Sequence, residues 1–400
     1  MVRYSFLAFF GSLTFRLSVF YFFAIGFYSF ILAFLPLHCR GLGFTPIQVA
    51  LVSSTTTLAT ICGAPLLGHL AYDLLAPRIL LLCAHAISLI CFLVLFRAHT
   101  VQAFIPLWFI CAFFSCGSMA IVDAQAVRYS TEKKTSFEIV RAWGSIGFVA
   151  GAFLMGHLTD RFGIEIIPVT GLVNMILTLL AAISIFGLLS ARPTRTRLLP
   201  DEIGMNLWEI LRLRAFRNLL LLNAFVWASH GVLYVYLSLY LKSLGWTSAG
   251  VSLAWNIGVT SEIIFFLIFG WLRVRFSLPA ILKVSVIISI LRWCFLLYSQ
   301  DRSVILFSQL LHAFSFGGCY LSSMHLVHKV LPDDCRDRGQ GLLQSLGAGV
   351  GSLSGRMFAG IGASLFLSSY EGVQYLFSGS VLIGIAALIC CRKIGSARDA

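Results

Sequence analysis

Glu262 stands in the stretch NIGVTSEIIFFLIFG (256–270), and the eight residues that follow it are uncharged and apolar. No sequence neighbour can neutralise that carboxylate. Arg292 lies in a similar setting, within LRW (291–293), and Arg356 follows GAGVGSLSG (347–355). Two histidines sit on polar stripes inside apolar runs. Trp227, His230, Tyr234 and Ser238 form one stripe, and Ser308, His312, Ser315, Cys319 and Ser322 form the other, at helical spacing. Asp123 and Arg141 lie 18 residues apart in the first half. Acids, arginines and imidazoles of this kind can hold protons, anions and hydroxyl groups. They do not make a nucleophile–base pair. Nor do they make a metal site: His-Glu-x-x-His is absent, and His325 with His328 is too sparse. No Gly-x4-Gly-Lys-Ser/Thr loop is present to bind ATP. The sequence therefore points away from an enzyme, and it implies no cofactor and no metal.

The elements that carry these residues must be membrane helices. The chain has 400 residues, 59% hydrophobic and 11% charged, with a mean hydropathy of +0.91. A soluble domain has about a quarter of its residues charged. The apolar runs reach about 20 residues, long enough to cross a hydrocarbon core as helices. Lipid cannot satisfy backbone groups, so spans are helices or a closed barrel, and the two-residue alternation of a barrel is missing. Twelve spans are predicted: 17–37, 47–71, 79–96, 101–125, 139–158, 165–190, 218–241, 248–272, 278–299, 303–326, 341–366 and 372–391. The N-terminal stretch runs into an aromatic-rich first span rather than a cleavable signal. The eleven cysteines lie mostly in apolar runs without a C-x-x-C pair and read as small core residues.

The net charge of +13 is spread over short loops and not along one stripe, which excludes a nucleic-acid surface. On one side of the predicted membrane stand Arg40, Arg97, Arg161, Lys242 and Arg302. Arg292 and Arg356 fall deep within spans, and the other lysines and arginines gather in the loops and span ends on the side of the N-terminus. Positive charge marks cytoplasmic loops, so both termini are expected in the cytoplasm, as for a bacterial inner-membrane protein.

The chain also repeats itself. RGLGFTPIQVAL (40–51) and KSLGWTSAGVSL (242–253) match at an offset of 202 residues. Each leaves the first span of its half through Leu-Gly-aromatic-Thr and enters a new helix, with Thr and Pro46 suited to its start. The basic connection ARPTRTRLLPDEIGMNLWEILRLRAFRN, from residue 191, separates the two copies. The expected organisation is a six-helix bundle over 1–190, a cytoplasmic loop over 191–217 and a second six-helix bundle over 218–400. Parallel six-span halves form a transporter architecture with a site near the midplane.

These features resemble the major facilitator superfamily. Its loop signature is represented by the stretched GHLAYDLLAPR (68–78), and a closer copy, GHLTDRFG (156–163), falls on the side expected to face out. YFFAIGFYSF (21–30), FEIVRAWGSIGF (137–148), SEIIFF (261–266), LRW and LLHAF (310–314) are similar to the 3-phenylpropionic acid transporter family. More distantly they resemble the lactose permease type of proton symporter. The resemblance implies substrate contacts from Asp123, Arg141 and Phe148 and matches His230; Tyr28, Tyr234 and Trp255 are further candidates for lining the substrate site. It implies proton coupling through Glu262, His312 and Arg292. One departure matters. The permease type places Lys-x-x-His-x-x-Glu on its tenth helix, and this chain has Gln309, His312 and Ser315 there. The proton-carrying acid of that pattern is missing.

Glu262 could be a packing group hydrogen-bonded to another helix, but intramembrane acids are functional by default. If Arg292 approaches it in one state and leaves in another, the acid becomes a proton switch. The expected function is a monomeric secondary transporter, embedded in membrane lipid, that moves a small organic solute with protons by alternating access. An aromatic carboxylate and a sugar both fit. An uncoupled facilitator, an exporter or a transporter-like sensor is the alternative.

Overall fold

A computed structural model of the chain describes residues 13–133, 137–189, 205–367, 370 and 372–395. No strand occurs among the described residues. The helices that matter are α1 (Thr14–Gly41), α2 (Pro46–Asp73), α3 (Pro77–Leu95), α4 (Val101–Ser130), α5 (Phe137–Phe162) and α6 (Ile166–Ile185) in the first half. The second half has α7 (Arg214–Ser243), α8 (Ser248–Arg275), α9 (Leu278–Tyr298), α10 (Arg302–Val330), α11 (336–366) and α12 (Phe377–Gly395). Among the described residues eleven helices are long and apolar enough to cross a membrane. The twelfth, α11, begins with Arg336, Asp337 and Arg338 and carries Arg356. Among the described residues the protein is all-α, and twelve helices stand where the sequence predicts twelve spans. Every predicted span coincides with a helix, and several helices run longer. α1 has 28 residues, about 42 Å at 1.5 Å per residue, against a hydrocarbon core of roughly 30 Å.

Contacts group the chain into two units. Unit 1 is Met1–Phe44, Leu51–Thr196 and Thr247–Ser252; unit 2 is Thr45–Ala50, Arg197–Trp246 and Leu253–Ala400. Most of the expected central connection lies outside the described residues. Its described end forms a short helix, Leu207–Arg212, closed by a capping box: Asn206 accepts from the amides of Trp208 and Glu209, and Glu209 accepts from the Asn206 amide.

The sequence repeat is a structural repeat. Gly43 and Gly245 both have positive φ, +81° and +76°, which a side chain would oppose. The hydrogen bonds around them match pair by pair. Phe44 N donates to Cys39 O, and Trp246 N donates to Leu241 O, both at 3.1 Å. Gly43 N donates to Arg40 O at 3.0 Å, and Gly245 N to Lys242 O at 3.1 Å.

Glycines extend the correspondence. On α5, Gly147 packs against the Phe22 backbone, Gly151 against Gly26 and Ser29, and Gly156 against Ser248, Ala249 and Ser252. On α11, Gly351 packs against Ala224, Gly355 against Ala228, and Gly360 against Ile47 and Ala50. Each partner set recurs at the same 202-residue offset, and each glycine at 204. The small residues of 347–355 therefore form a packing face, which lets helices approach with backbone atoms in contact.

Candidate functional site

In unit 1 the predicted pair Asp123 and Arg141 is brought together through a third residue. The Tyr21 hydroxyl donates to Asp123 Oδ1 at 2.6 Å, and the Arg141 guanidinium carbon lies 5.6 Å from the centre of the Tyr21 ring. No direct Asp123–Arg141 ion pair forms. Tyr21 is a residue that sequence reasoning missed, although it stands two helical turns from Tyr28 on one face of α1. Tyr28 belongs to the same neighbourhood and interacts electrostatically with Cys116, Arg141 and Asp123. Phe148, seven residues after Arg141, is buried. α4 runs on to Ser130, past its predicted limit of 125, and α5 begins at Phe137, one turn before Arg141.

Unit 2 holds the denser cluster. Arg292 is 1% exposed. Its Nη1 donates to His312 Nδ1 at 2.9 Å and to Ser315 Oγ at 3.0 Å, and its Nη2 donates to Gln309 Oε1 at 2.7 Å. These acceptors stand at the three α10 positions that the permease pattern fills with Lys, His and Glu. Here they are neutral and converge on one buried cation. A buried charge needs such hydrogen bonds to be tolerable. Of the two groups that the sequence set beside Glu262, His312 is the one in contact with it here, and Arg292 reaches it only through His312.

The guanidinium can only donate, so His312 Nδ1 is the acceptor and the imidazole proton sits on Nε2. That Nε2–H faces Glu262 Oε2 at 3.6 Å, an electrostatic contact too long for a hydrogen bond. The line Arg292–His312–Glu262 therefore runs from a cation through a polarised imidazole to an acid.

Local backbone breaks place these groups. α10 loses its regular pattern at Leu311 and passes into π-helix over Ala313–Gly318, directly after His312. Such segments are frequent at functional sites. Gly258, one turn before Glu262, stands beside His312, whose ring lies in ordinary van der Waals range of the position a Cβ would take. α7 is interrupted at His230, between Ser229 and Gly231.

His230 Nδ1 donates to Val226 O at 2.8 Å, which leaves Nε2 as a buried acceptor without a hydrogen-bond partner. Its ring centre lies 6.2 Å from that of His312, 4.8 Å from Trp293 and 5.8 Å from Tyr234. Tyr234 in turn lies beneath Arg356, whose guanidinium carbon is 5.0 Å from the ring centre. Arg356 had no assigned partner in the sequence; it joins this cluster, with Ser352 bonded to its Nε. Trp255 is turned elsewhere: its indole donates to Ser238 Oγ at 2.9 Å and ties α8 to α7. Among the described residues no group of His, Cys, Asp and Glu is arranged to hold a metal.

The arrangement offers donors and acceptors for binding a small solute. The model of the MFS_1 like family matches residues 14–371. The chain belongs to this family. This transporter is 26% identical to the probable 3-phenylpropionic acid transporter of Escherichia coli (strain K12) over 314 residues, 77% of this chain and 79% of that protein. It is 23% identical to the maltose permease of Geobacillus stearothermophilus over 353 residues, 86% of this chain and 85% of that one. Solved structures share its fold. A mutant form of the nucleoside transporter NupG superposes with a TM-score of 0.84 at 16% identity, covering 95% of this chain and 100% of that one. A mutant of the peptide transporter POT in complex with alafosfalin gives 0.74 at 12%, covering 97% and 96%. These are transporters and not enzymes, and this protein is a multi-pass membrane transporter for small solutes.

Proposed function

We propose that the protein is a proton symporter that moves a small organic solute by alternating access. Glu262 carries the proton, and His312 links its charge state to Arg292. The line from Arg292 through His312 to Glu262 is the observation that carries this reading. In the proton-free state the His312 N–H faces a carboxylate. A proton on Glu262 removes that charge, and the Arg292–His312 arrangement loses its counter-charge. A helix with a π segment at that point can respond by re-pairing. The acid that the permease pattern places at Ser315 is dispensable here, because Glu262 serves in its stead.

Asp123, Arg141 and Tyr21 bind polar groups of the solute, with Tyr28 and Phe148 beside them. His230 offers its bare Nε2 to a solute donor, and Tyr234 orders the ring. The named relatives favour an aromatic carboxylate or a sugar. The protein works as a monomer in the lipid of a bacterial inner membrane, with both termini in the cytoplasm. Its halves over 1–190 and 218–400 are joined by a cytoplasmic loop.

Counterflow in proteoliposomes with 3-phenylpropionate, maltose and nucleosides tests the solute. An imposed pH gradient tests the coupling. Uphill accumulation driven by the gradient supports symport. Equilibration without accumulation would make the protein an uncoupled facilitator, and binding without flux would make it a sensor.

A further inference from the structure

GHLTDRFG (156–163) plays no part in the clusters above, yet it makes a specific contact. Ala152, Gly156 and Asp160 stand one turn apart on α5 and meet the first turn of α8. The Ser252 hydroxyl donates to Ala152 O at 2.6 Å. A Cβ on Gly156 would collide with Ser252 Oγ and stand 3.0 Å from Ala249 Cα. Asp160 completes the contact. Its Oδ1 accepts from the Ser248 amide at 2.6 Å and its Oδ2 from the Ala249 amide at 2.8 Å. The first amides of a helix have no partner within it, and its N-terminus favours negative charge. A local cap is normally enough. Here Thr247 caps only Gly250, at 3.0 Å, and the acid for the first two amides comes from 88 residues away.

The pseudo-symmetric contact shows that the acid is an addition. Gly360 meets the head of α2 as Gly156 meets the head of α8. Ser248 corresponds to Pro46, which has no amide hydrogen to satisfy, and Asp160 corresponds to the exposed Ser364. One of two equivalent contacts thus carries a charged clasp. By contacts the α8 head, Thr247–Ser252, belongs to unit 1, while the rest of α8 from Leu253, including Glu262, belongs to unit 2.

We infer that Asp160 is a gating residue: its carboxylate clasps the head of α8, and this clasp opens and closes in every transport cycle. The inference rests on the transporter reading, but not on proton coupling or on any solute. A clasp of two charge-assisted hydrogen bonds holds α8 in the state seen here. Weakening it changes the rate of interconversion and leaves the solute-binding groups untouched.

The test uses the full-length protein in proteoliposomes. D160N keeps one acceptor, removes the charge and sets an NH2 against the second amide. The maximum counterflow rate should change by about fivefold or more, with solute Kd in detergent within twofold of wild type, and D160E should recover part of the change. The D160C/S248C pair supplies the decisive arm, because it does not depend on the behaviour of D160N. Oxidation should form the disulfide and stop counterflow, dithiothreitol should restore it, and neither single-cysteine variant should respond. Counterflow at the unoxidised rate with the disulfide formed, as quantified by mass spectrometry, would overturn the inference. So would failure of the disulfide to form in folded protein, or a D160N variant with unchanged maximum rate.

Discussion

His312 makes two contacts through two different nitrogens, and they can be removed one at a time. An asparagine at this position sets an amide oxygen near Nδ1; a glutamine sets an amide NH2 near Nε2. His312→Asn therefore keeps an acceptor for Arg292 Nη1, where the native distance is 2.9 Å, and loses the N–H that faces Glu262 at 3.6 Å. His312→Gln does the reverse. A hydrogen bond to a charged group contributes about 1.5–3 kcal/mol, and leaving a buried donor unpaired costs in the same range. Arg292 is buried and keeps its bonds to Ser315 and Gln309 in both variants. The Gln variant should thus be less stable than the Asn variant by about 2 kcal/mol. At roughly 2–4 °C per kcal/mol, or less for a chain of this size, that is a few degrees in the unfolding midpoint. Coupling should show the opposite order. The Asn variant should bind and exchange solute but fail to accumulate it against a gradient, while the Gln variant should retain part of its accumulation. Unfolding in detergent by tryptophan fluorescence and gradient-driven uptake in proteoliposomes read the two effects separately. Equal stability in both variants, or full accumulation by His312→Asn, would refute the reasoning.

Further outcomes follow from the same geometry. Tyr21→Phe removes the 2.6 Å hydrogen bond to Asp123 and should raise KM for counterflow roughly 10- to 100-fold, for a loss of about 1.5–3 kcal/mol, with little change in maximum rate; an unchanged KM would remove Asp123 from the solute site. Gly43→Ala and Gly245→Ala each force a side chain into positive φ, at about 1–2 kcal/mol, and the repeat predicts equal shifts in midpoint for the two. Gly355→Ala drives a methyl group into the Ala228 backbone and should abolish folded protein, whereas Gly270→Ala meets open space and should be tolerated, as size-exclusion profiles of the two would show.

The fold was largely legible because lipid imposes it. Twelve apolar runs, a basic central connection and one short repeat were enough, and the repeat located the positive-φ glycines at both copies. Arg292, His312 and Glu262 were legible as isolated polar groups in apolar surroundings. Their connection was not. Spacing along α8, α9 and α10 does not show that Gln309, His312 and Ser315 all turn toward one guanidinium, nor that His312 is the group between Arg292 and Glu262. Tyr21 was hidden among eight residues of mixed aromatic character, where tyrosine looks like lipid-facing bulk until its hydroxyl is seen on a carboxylate. Asp160 was quoted within a loop signature, but its partner is the backbone of a distant helix, and backbone amides leave no mark in a sequence.

The central claim is that Glu262 carries the coupled proton. Glu262→Gln keeps size and hydrogen bonding but cannot titrate. Proteoliposomes holding the wild type and this variant should be compared for solute counterflow and for uptake driven by an inwardly directed proton gradient, using the solute the panel identifies. The account predicts that the variant exchanges solute at a rate near wild type and does not accumulate it. Accumulation by Glu262→Gln equal to wild type, with the same dependence on the gradient, would contradict it.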